Sequence, residues 1–597
     1  MTERKHQYEM GVIGNCSYLA YIDKSANISW MCWPKFDSSF VFGGLLDRDK
    51  GGEFSIMPAE GEFSSRQYYR SNTNVLCTEF ESKDGKFKVT DFAPRFSQYD
   101  RYYKPLMLIR KIEPLGGSVR IRVVCKPVGD YGKKQGKAHL GSNHIYYSGL
   151  ERETRLTTNI PLNYIQEEIA FNLTTAKYMV LTFGQPLEAP LEMTAEDFLR
   201  NTMHYWRTWV KHCNVRNLWQ EQVIRSALVL KIHQYEDTGA IIAAGTTSLS
   251  EHPGSTRNWD YRYCWMRDTY YTLQALYDIG HFEELENYAS FIQNIATKEN
   301  MRYNPVYSIM GDDKFAERTI DLKGYLGNQP VRIGNQALEH IQNDVYGQIL
   351  VSLLPLYIDG RLIDREKSRS VQLIYNLLHG IETTMYEPDA GLWEFRNNSQ
   401  MHCYTFLFHW AGSSAAIRIG QEVNDEKMVQ QATKLREQAI EQIEACYNSE
   451  LKAYTQAIGN KQMDASLLKL ITMNYLDPKS ERAAQHLERV QQELMSEDGL
   501  FYRYKHADDF GKPKSTFLVC AYWHVEALAC VGRIDEAVRY FEDLLKYANP
   551  LGLLSEDVDS SDGSQWGNFP QTYSHVGLIN AAVRVSRKLD HPGFLVV

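Results

Sequence analysis

Three stretches of this chain crowd carboxylates against rings and guanidinium groups: STRNWDYRYCWMRD at 255–268, DAGLWEFR at 389–396 and LGLLSEDVDSSDGSQWGNFPQ at 551–571. Two glutamates stand out among them. Glu394 lies between Trp393 and Phe395, and Glu556 opens a run shared with Asp557, Asp559 and Asp562. Cleaving a glycosidic bond takes such a pair, one carboxyl protonated to release the leaving oxygen and one ionised to direct water or attack carbon. Rings packed on Glu394 would raise its pKa and suit it to the acid role. Polar neighbours that hydrogen-bond Glu556 would keep it ionised and wet, which suits a base. The same acidic run also fits a solvated loop or a cation site. An EF-hand is excluded by spacing, because counting from Asp557 puts Asp562 at the glycine place and Asn568 at the twelfth place.

The segments that must position these groups divide in two. Over the first third, short runs such as NISWMCW, NVLCTEF, KFKVTDF, LMLIRKI, SVRIRVVC, HIYYSG, ETRLTTN and KYMVLTFG are β-branched or aromatic and separated by Gly, Pro, Asn or Asp. They predict an antiparallel β-sandwich over residues 1–194. AEDFLRNTMHYWRTWVKHC then predicts a linker helix over 195–217. From 218 to 597 the period is helical, with about a dozen amphipathic stretches that suggest six pairs. LWQEQVIRSALVLKIHQYE, DTYYTLQALYDIG, HFEELENYASFIQNIA, KMVQQATKLREQAIEQIEACY and DEAVRYFEDLLKYA are among them. Each of the three carboxylate-bearing stretches flanks a helix end, on the kind of loop a rigid scaffold uses to present functional groups.

Composition narrows the function classes. At 597 residues and 43% hydrophobic the chain exceeds one compact core, so at least two packed domains are expected. A formal net charge of -9 with scattered Lys and Arg argues against nucleic acid and acidic membranes as partners. The start MTERKHQYEMG has no apolar core, and no later run approaches the length a bilayer needs, so a soluble, cytoplasmic protein is expected. Ten cysteines without a CxxC pair read as buried thiols. The 17 histidines form no spaced cluster, and Walker A, HExxH, GxSxG and GxGxxG patterns are absent, so no metal or cofactor is implied. The 12% aromatic content suits platforms for sugar faces but equally suits core packing.

RNWDYRYCWMRD at 257–268 resembles the RNWDYRYCWLRD signature of bacterial and archaeal members of the glucoamylase family, glycoside hydrolase family 15, with Met266 in a usual Leu place. PVRIGN at 330–335, GLWEFR at 391–396, and GNFPQ with Ser574 and His575 follow in the family's order, and WMCWPKFDSS at 30–39 resembles its amino-terminal opening. The resemblance implies a β-sandwich followed by an (α/α)6 barrel and an inverting exo-α-glucosidase that releases β-glucose from α-glucooligosaccharide ends. It implies Glu394 as general acid and Glu556 as general base, whose carboxyl groups an inverting enzyme holds about 6.5 to 9.5 Å apart. It also implies Tyr261, Trp265, Arg267, Asp268, Trp393 and Arg503 as substrate-binding residues. Trehalase and isomaltose or dextran glucohydrolase are alternatives on the same site. A non-catalytic carbohydrate-binding or regulatory protein is the alternative from another class, and both glutamates being present weighs against it. A lyase or phosphorylase on a similar barrel would want a different base or a phosphate cleft. Thr405-Phe406 replaces a common Ser-Lys, and Lys514-Ser515-Thr516-Phe517 replaces a common EGAF, which predicts altered charge around the leaving sugar.

Overall fold

The structure is a computed structural model and describes residues 5–296, 302–362 and 370–590. The first part is antiparallel β. Its largest sheet runs, in spatial order, Lys137–Leu140, His144–Ser148, Thr154–Thr158, Lys177–Phe183, Met107–Gly117, Gly85–Phe92, Leu76–Ser82 and Phe63–Tyr69. All eight runs read as strands from the sequence coincide with strands here. A four-stranded meander of Met10–Gly14, Leu19–Asp23, Ile28–Cys32 and Phe40–Phe42 accompanies them. It is almost wholly buried, so its sequence lacks the in-out alternation that marks a half-exposed strand. Within the sheet, Arg110 and Asp91 form a fully buried ion pair, Nε to Oδ1 2.8 Å, and Arg110 also donates to the Phe54 carbonyl at 2.8 Å.

A helix over Leu191–Lys211, α1, leads into the second part. There, α2 (Gln220–Ile232), α4 (Phe282–Ala296), α6 (Val371–Thr384), α8 (Glu426–Ala445), α10 (Glu481–Leu494) and α12 (Ile534–Leu545) form an outer wall. The inner wall is α3 (Met266–Asp278), α5 (Val345–Ile358), α7 (Cys403–Glu422), α9 (Lys469–Thr472, entered through a 3-10 turn), α11 (Leu518–Cys530) and α13 (Thr572–Leu589). Neighbouring inner helices touch round the ring, α13 back to α3 included and α7 meeting α9 through its 3-10 turn, which closes an (α/α)6 barrel. The two walls differ in pattern. Outer α12 buries one stripe, Ala537, Phe541 and Leu544, whereas inner α11, LVCAYWHVEALAC, is buried nearly all round. Caps set several starts: the Asp425 side chain accepts from Met428 N, Ser480 from Ala483 N and Gln571 from Ser574 N. Inner helices α5 and α7 approach to backbone contact. A Cβ on Gly347 would stand 1.9 Å from the Phe408 carbonyl oxygen, and one on Gly412 would stand 2.5 Å from the Gly347 Cα.

The two parts share one continuous apolar core that runs from Tyr8 to Val585. All ten cysteines are free thiols, eight of them buried. Among the described residues no helix is long and apolar enough to cross a membrane.

Candidate active site

A cleft spanning about 820 Å³, open to solvent, lies where the inner helices begin. Its lining comes from just before or within the first turn of α3 (Trp265, Arg267, Asp268), α11 (Phe517) and α13 (Gln571, Tyr573), and from the loops that precede α5 and α7. Helix starts collect here because all six inner helices run the same way.

The RNWDYRYCWMRD segment is extended through its first half, and its alternate residues serve different masters. Arg257, Trp259 and Tyr261 line the cleft. Asn258, Asp260 and Arg262 face the scaffold and are fully buried. Arg262 chelates Asp260, with Nε to Oδ1 2.9 Å and Nη2 to Oδ2 2.7 Å, and donates to the Ser38 carbonyl of the β-domain at 2.8 Å. Half of the motif therefore ties the β-domain to the barrel while the other half faces the ligand space.

Trp265 donates its indole N–H to Glu394 Oε1 at 2.7 Å, and Arg267 Nη1 lies 3.5 Å from the same oxygen. Glu394 occupies the left-handed backbone region at φ 62°, a conformation that costs a non-glycine residue roughly 1 to 3 kcal/mol and that recurs at functional sites. Its side chain is 24% exposed. The flanking rings that the sequence placed beside it turn elsewhere: Trp393 packs toward Tyr504, Phe517 and Trp523, and Phe395 toward His402 and Tyr504. Arg267 also donates from Nε to Asp268 Oδ1 at 3.0 Å and from Nη1 to the Leu392 carbonyl at 2.9 Å. Burial pushes the Asp268 carboxyl up to about 6 against the pull of that guanidinium.

Glu556 differs from its expectation. It is hydrogen-bonded, by Tyr261 Oη at 2.7 Å and by the Asn568 backbone N–H at 3.2 Å, but it is 1% exposed rather than wet. Burial, and then the nearby Glu251 carboxylate, push its pKa up to about 7 against the hydrogen bonds and Arg503. Close packing accompanies the dryness: Glu556 is not among the residues that line the cleft, and a Cβ at Gly567 would sit 2.6 Å from the Glu556 Cβ, so only glycine allows the loop to fold this closely over it. Trp265 and Tyr261 meet edge to face with centroids 5.3 Å apart, so a short relay of rings joins the two glutamates.

Arg503 is buried and salt-bridged through Nη2 to Glu251, whose other oxygen accepts from Trp259 Nε1 at 3.3 Å. Glu251 escaped the sequence reading, as SLSEHPGS looks like an ordinary loop. Glu251, Glu556 and Asp557 place carboxylate oxygens within 4.8 Å of one another, the one grouping among the described residues with metal-ligand spacing. The Arg503 guanidinium already meets Glu251, and Tyr261 and Asn568 already serve Glu556, so this cluster has cationic and hydrogen-bonding partners of its own.

The mouth is bordered by residues that the sequence did not single out. Arg257 pairs with Asp508, Asp509 accepts from the Arg396 N–H at 2.7 Å and Asn397 Nδ2 at 2.8 Å, and Arg396 lies over the Trp259 and Phe510 rings. His340 also lines the cleft, with neither ring nitrogen hydrogen-bonded. The two departures expected to alter the leaving-sugar side lie mostly off the cleft. Thr405 and Phe406 are buried in α7, where Thr405 Oγ1 donates to Asp389 at 2.8 Å, and Lys514 is exposed away from the lining. Only Phe517 of that tetrad lines the cleft.

Residues 219–583 match the family described as glycosyl hydrolases family 15, and residues 4–169 match the trehalase-like N-terminal family. The trehalase of Thermoplasma volcanium is 31% identical over 98% of this chain and 94% of its own length. The trehalase of Mycobacterium tuberculosis is 29% identical over 95% of this chain and 87% of its own. Among solved structures, a bacterial glucoamylase complexed with acarbose superposes with a TM-score of 0.71 at 15% identity, covering 98% of this chain and 94% of that one, and so shares the fold. With both its barrel and its β-domain matched, the chain is a glycoside hydrolase that belongs to glycosyl hydrolase family 15.

Proposed function

We propose that this enzyme hydrolyses trehalose with inversion, with Glu394 as general acid and Glu556 as general base. The observation that carries the substrate is the end-to-end match, β-domain included, to proteins named trehalase from Thermoplasma and Mycobacterium. This moves the preferred substrate from the maltooligosaccharides that the sequence resemblance put first. Arg267 and Asp268 hold hydroxyls of the sugar to be attacked, through a planar guanidinium and a carboxylate suited to paired hydrogen bonds. Trp265 and Trp393 cover its apolar faces. Arg257, Arg396 and Arg503 with Asp508 and Asp509 border the space for the leaving glucose.

In the reaction, Glu394 gives its proton to the bridging oxygen as the bond to the anomeric carbon breaks. Glu556 takes a proton from water, whose oxygen bonds that carbon from the opposite face. The carboxylate left on Glu394 is stabilised by the Trp265 N–H and the Arg267 guanidinium, donors already aimed at it. Tyr261 and the Asn568 N–H orient Glu556 toward the water.

Because only one of the two anomeric carbons is attacked, trehalose yields one β-glucose and one α-glucose. Proton NMR before mutarotation, with maltose, maltotriose and isomaltose in parallel, tests this. Equal early α and β signals from trehalose are expected. Two α-glucoses would refute inversion, and faster release of β-glucose from maltotriose would return the assignment to an exo-glucosidase of α-glucans.

A further inference from the structure

A second cavity opens at the other end of the barrel. Open to solvent and spanning about 760 Å³, it is lined by all six inner helices, by the middle or C-terminal half of most of them and by the single-turn α9, including Tyr270, Trp410, Arg418, Lys469, Glu526 and Arg584. The catalytic cleft takes its lining from the starts of those same helices, so the two cavities are separated along the barrel axis. Between them lies an aromatic layer in which Trp523 packs against Trp393 at 6.3 Å and Tyr573 at 5.7 Å, and Tyr271 against Tyr573 at 5.3 Å.

The charges on this cavity do not balance. Lys469 is 3% exposed, its ammonium 4.9 Å from the Tyr271 ring centre and 4.7 Å from that of Trp523. Its carboxylate partner is Glu526, at 3.3 Å, and Glu526 is shared with Arg584 at 3.2 Å. Arg418 stands exposed at the rim with no ion-pair partner among the described residues. Among the described residues three cations thus line the cavity against one carboxylate, and the other ionisable lining groups, Tyr270 and Tyr271, are phenols that burial keeps neutral. Helix C-termini attract cations, but that effect fades within the last turn, and Lys469 begins its helix. Burying a cation is costly unless it is paired, and here buried Lys469 and half-buried Arg584 share a single carboxylate while solvent-facing Arg418 adds a third positive charge, so the lining suits a ligand of opposite sign.

We propose that this cavity is a second binding site, apart from the catalytic cleft, for a small oxygen-rich dianion of the phosphate or dicarboxylate kind. Lys469 and Arg584 meet it from the floor, Arg418 closes on it from the rim, and Trp410 and Tyr270 offer ring faces to any sugar or carbon chain attached to it. Glu526 holds the two floor cations in place.

Titration calorimetry of the full chain with inorganic phosphate, glucose 6-phosphate and succinate tests the site. Saturable binding of at least one is expected, with affinity falling about tenfold or more in Arg418→Ala, since each charge-assisted contact to an anion is among the stronger hydrogen bonds. Arg418 is exposed and remote from the cleft, so this variant keeps its fold and its hydrolytic rate. Equal affinity for phosphate and glucose 6-phosphate identifies the free ion, preference for the ester identifies a sugar phosphate, and preference for succinate a dicarboxylate. The proposal is overturned if none of the three binds, if Arg418→Ala and Lys469→Met both bind as the parent does, or if trehalose competes the anion away.

Discussion

Glu394 and Glu556 sit in opposite surroundings. Glu394 reaches the cleft from a strained turn with the Trp265 N–H donating to one oxygen and the Arg267 guanidinium paired with it, and Glu556 is packed closely against Gly567. In the proposed mechanism, replacing either by Gln removes a proton-transfer group, and such groups typically contribute about 10² to 10⁴ in rate. Both Glu394→Gln and Glu556→Gln are expected to lose turnover on that scale with an unchanged melting temperature, and less than tenfold loss in both would refute the roles. The pH profile adds a sharper test. A base is active as the carboxylate, so activity falls as pH drops through its pKa, and burial with Glu251 has pushed Glu556 up to about 7. The acid limb of kcat/KM should therefore lie near neutrality rather than at the ordinary pKa of glutamate, about 4.3. The charged and polar groups around Glu556 are Glu251, Asp557, Arg503, Tyr261 and the Asn568 N–H. Glu251→Gln removes a like charge and releases Arg503, changes that both favour the ionised base, so the limb should move to lower pH. A limb that stays in place in this variant shows that Glu251 does not tune the base.

At the scale of elements, the inner wall was hard to delimit because buried helices carry no polar stripe. Outer α8, α10 and α12 announce themselves by amphipathic period, while α9 is a single turn preceded by a 3-10 turn, and no periodicity over so few residues distinguishes it. Helix contact within that wall is exacting where α5 and α7 cross. Gly347→Ala places a methyl against the Phe408 carbonyl and forces the helices apart, and overpacking of this kind costs about 1 to 3 kcal/mol. A denaturation midpoint lowered accordingly is expected, and an unchanged midpoint would mean the helices part without cost. Because α5 and α7 also carry the loops bordering the cleft, the same variant should lower kcat/KM.

The whole molecule behaves as one body in its packing. Trp30 of the β-domain donates to the Gly245 carbonyl at 2.8 Å, and Tyr8 donates to the Gly567 carbonyl at 2.8 Å, directly beneath the Glu556 loop. With Arg262 bonded to Ser38, the β-domain buttresses two of the three segments that form the cleft. A shared apolar core of this kind couples the unfolding of its parts, so calorimetry should show one transition. Two resolved transitions would show that the domains unfold independently and that the buttress is energetically minor.

Local pattern alone determined the strand-then-helix order, the connecting helix, the lack of a long apolar span and the segments that carry the carboxylates, because period, turn residues and side-chain chemistry are properties of neighbours in the chain. RNWDYRYCWMRD was legible as a motif, yet its division into cleft-facing and domain-bridging residues was not, since that depends on which side of an extended segment meets the β-domain. His340, Asp508 and Asp509 carry no local signal and join the cleft only through closure of the barrel, and Glu251 meets Arg503 and Trp259 of its lining by the same closure. The environment of Glu556 was likewise decided in three dimensions: hydrogen-bonding neighbours were foreseeable from a polar loop, but burial depends on the packing of Gly567 and on a carboxylate 305 positions earlier in the chain. Electrostatics of buried groups follow distances in space, and those exist only once the chain has folded.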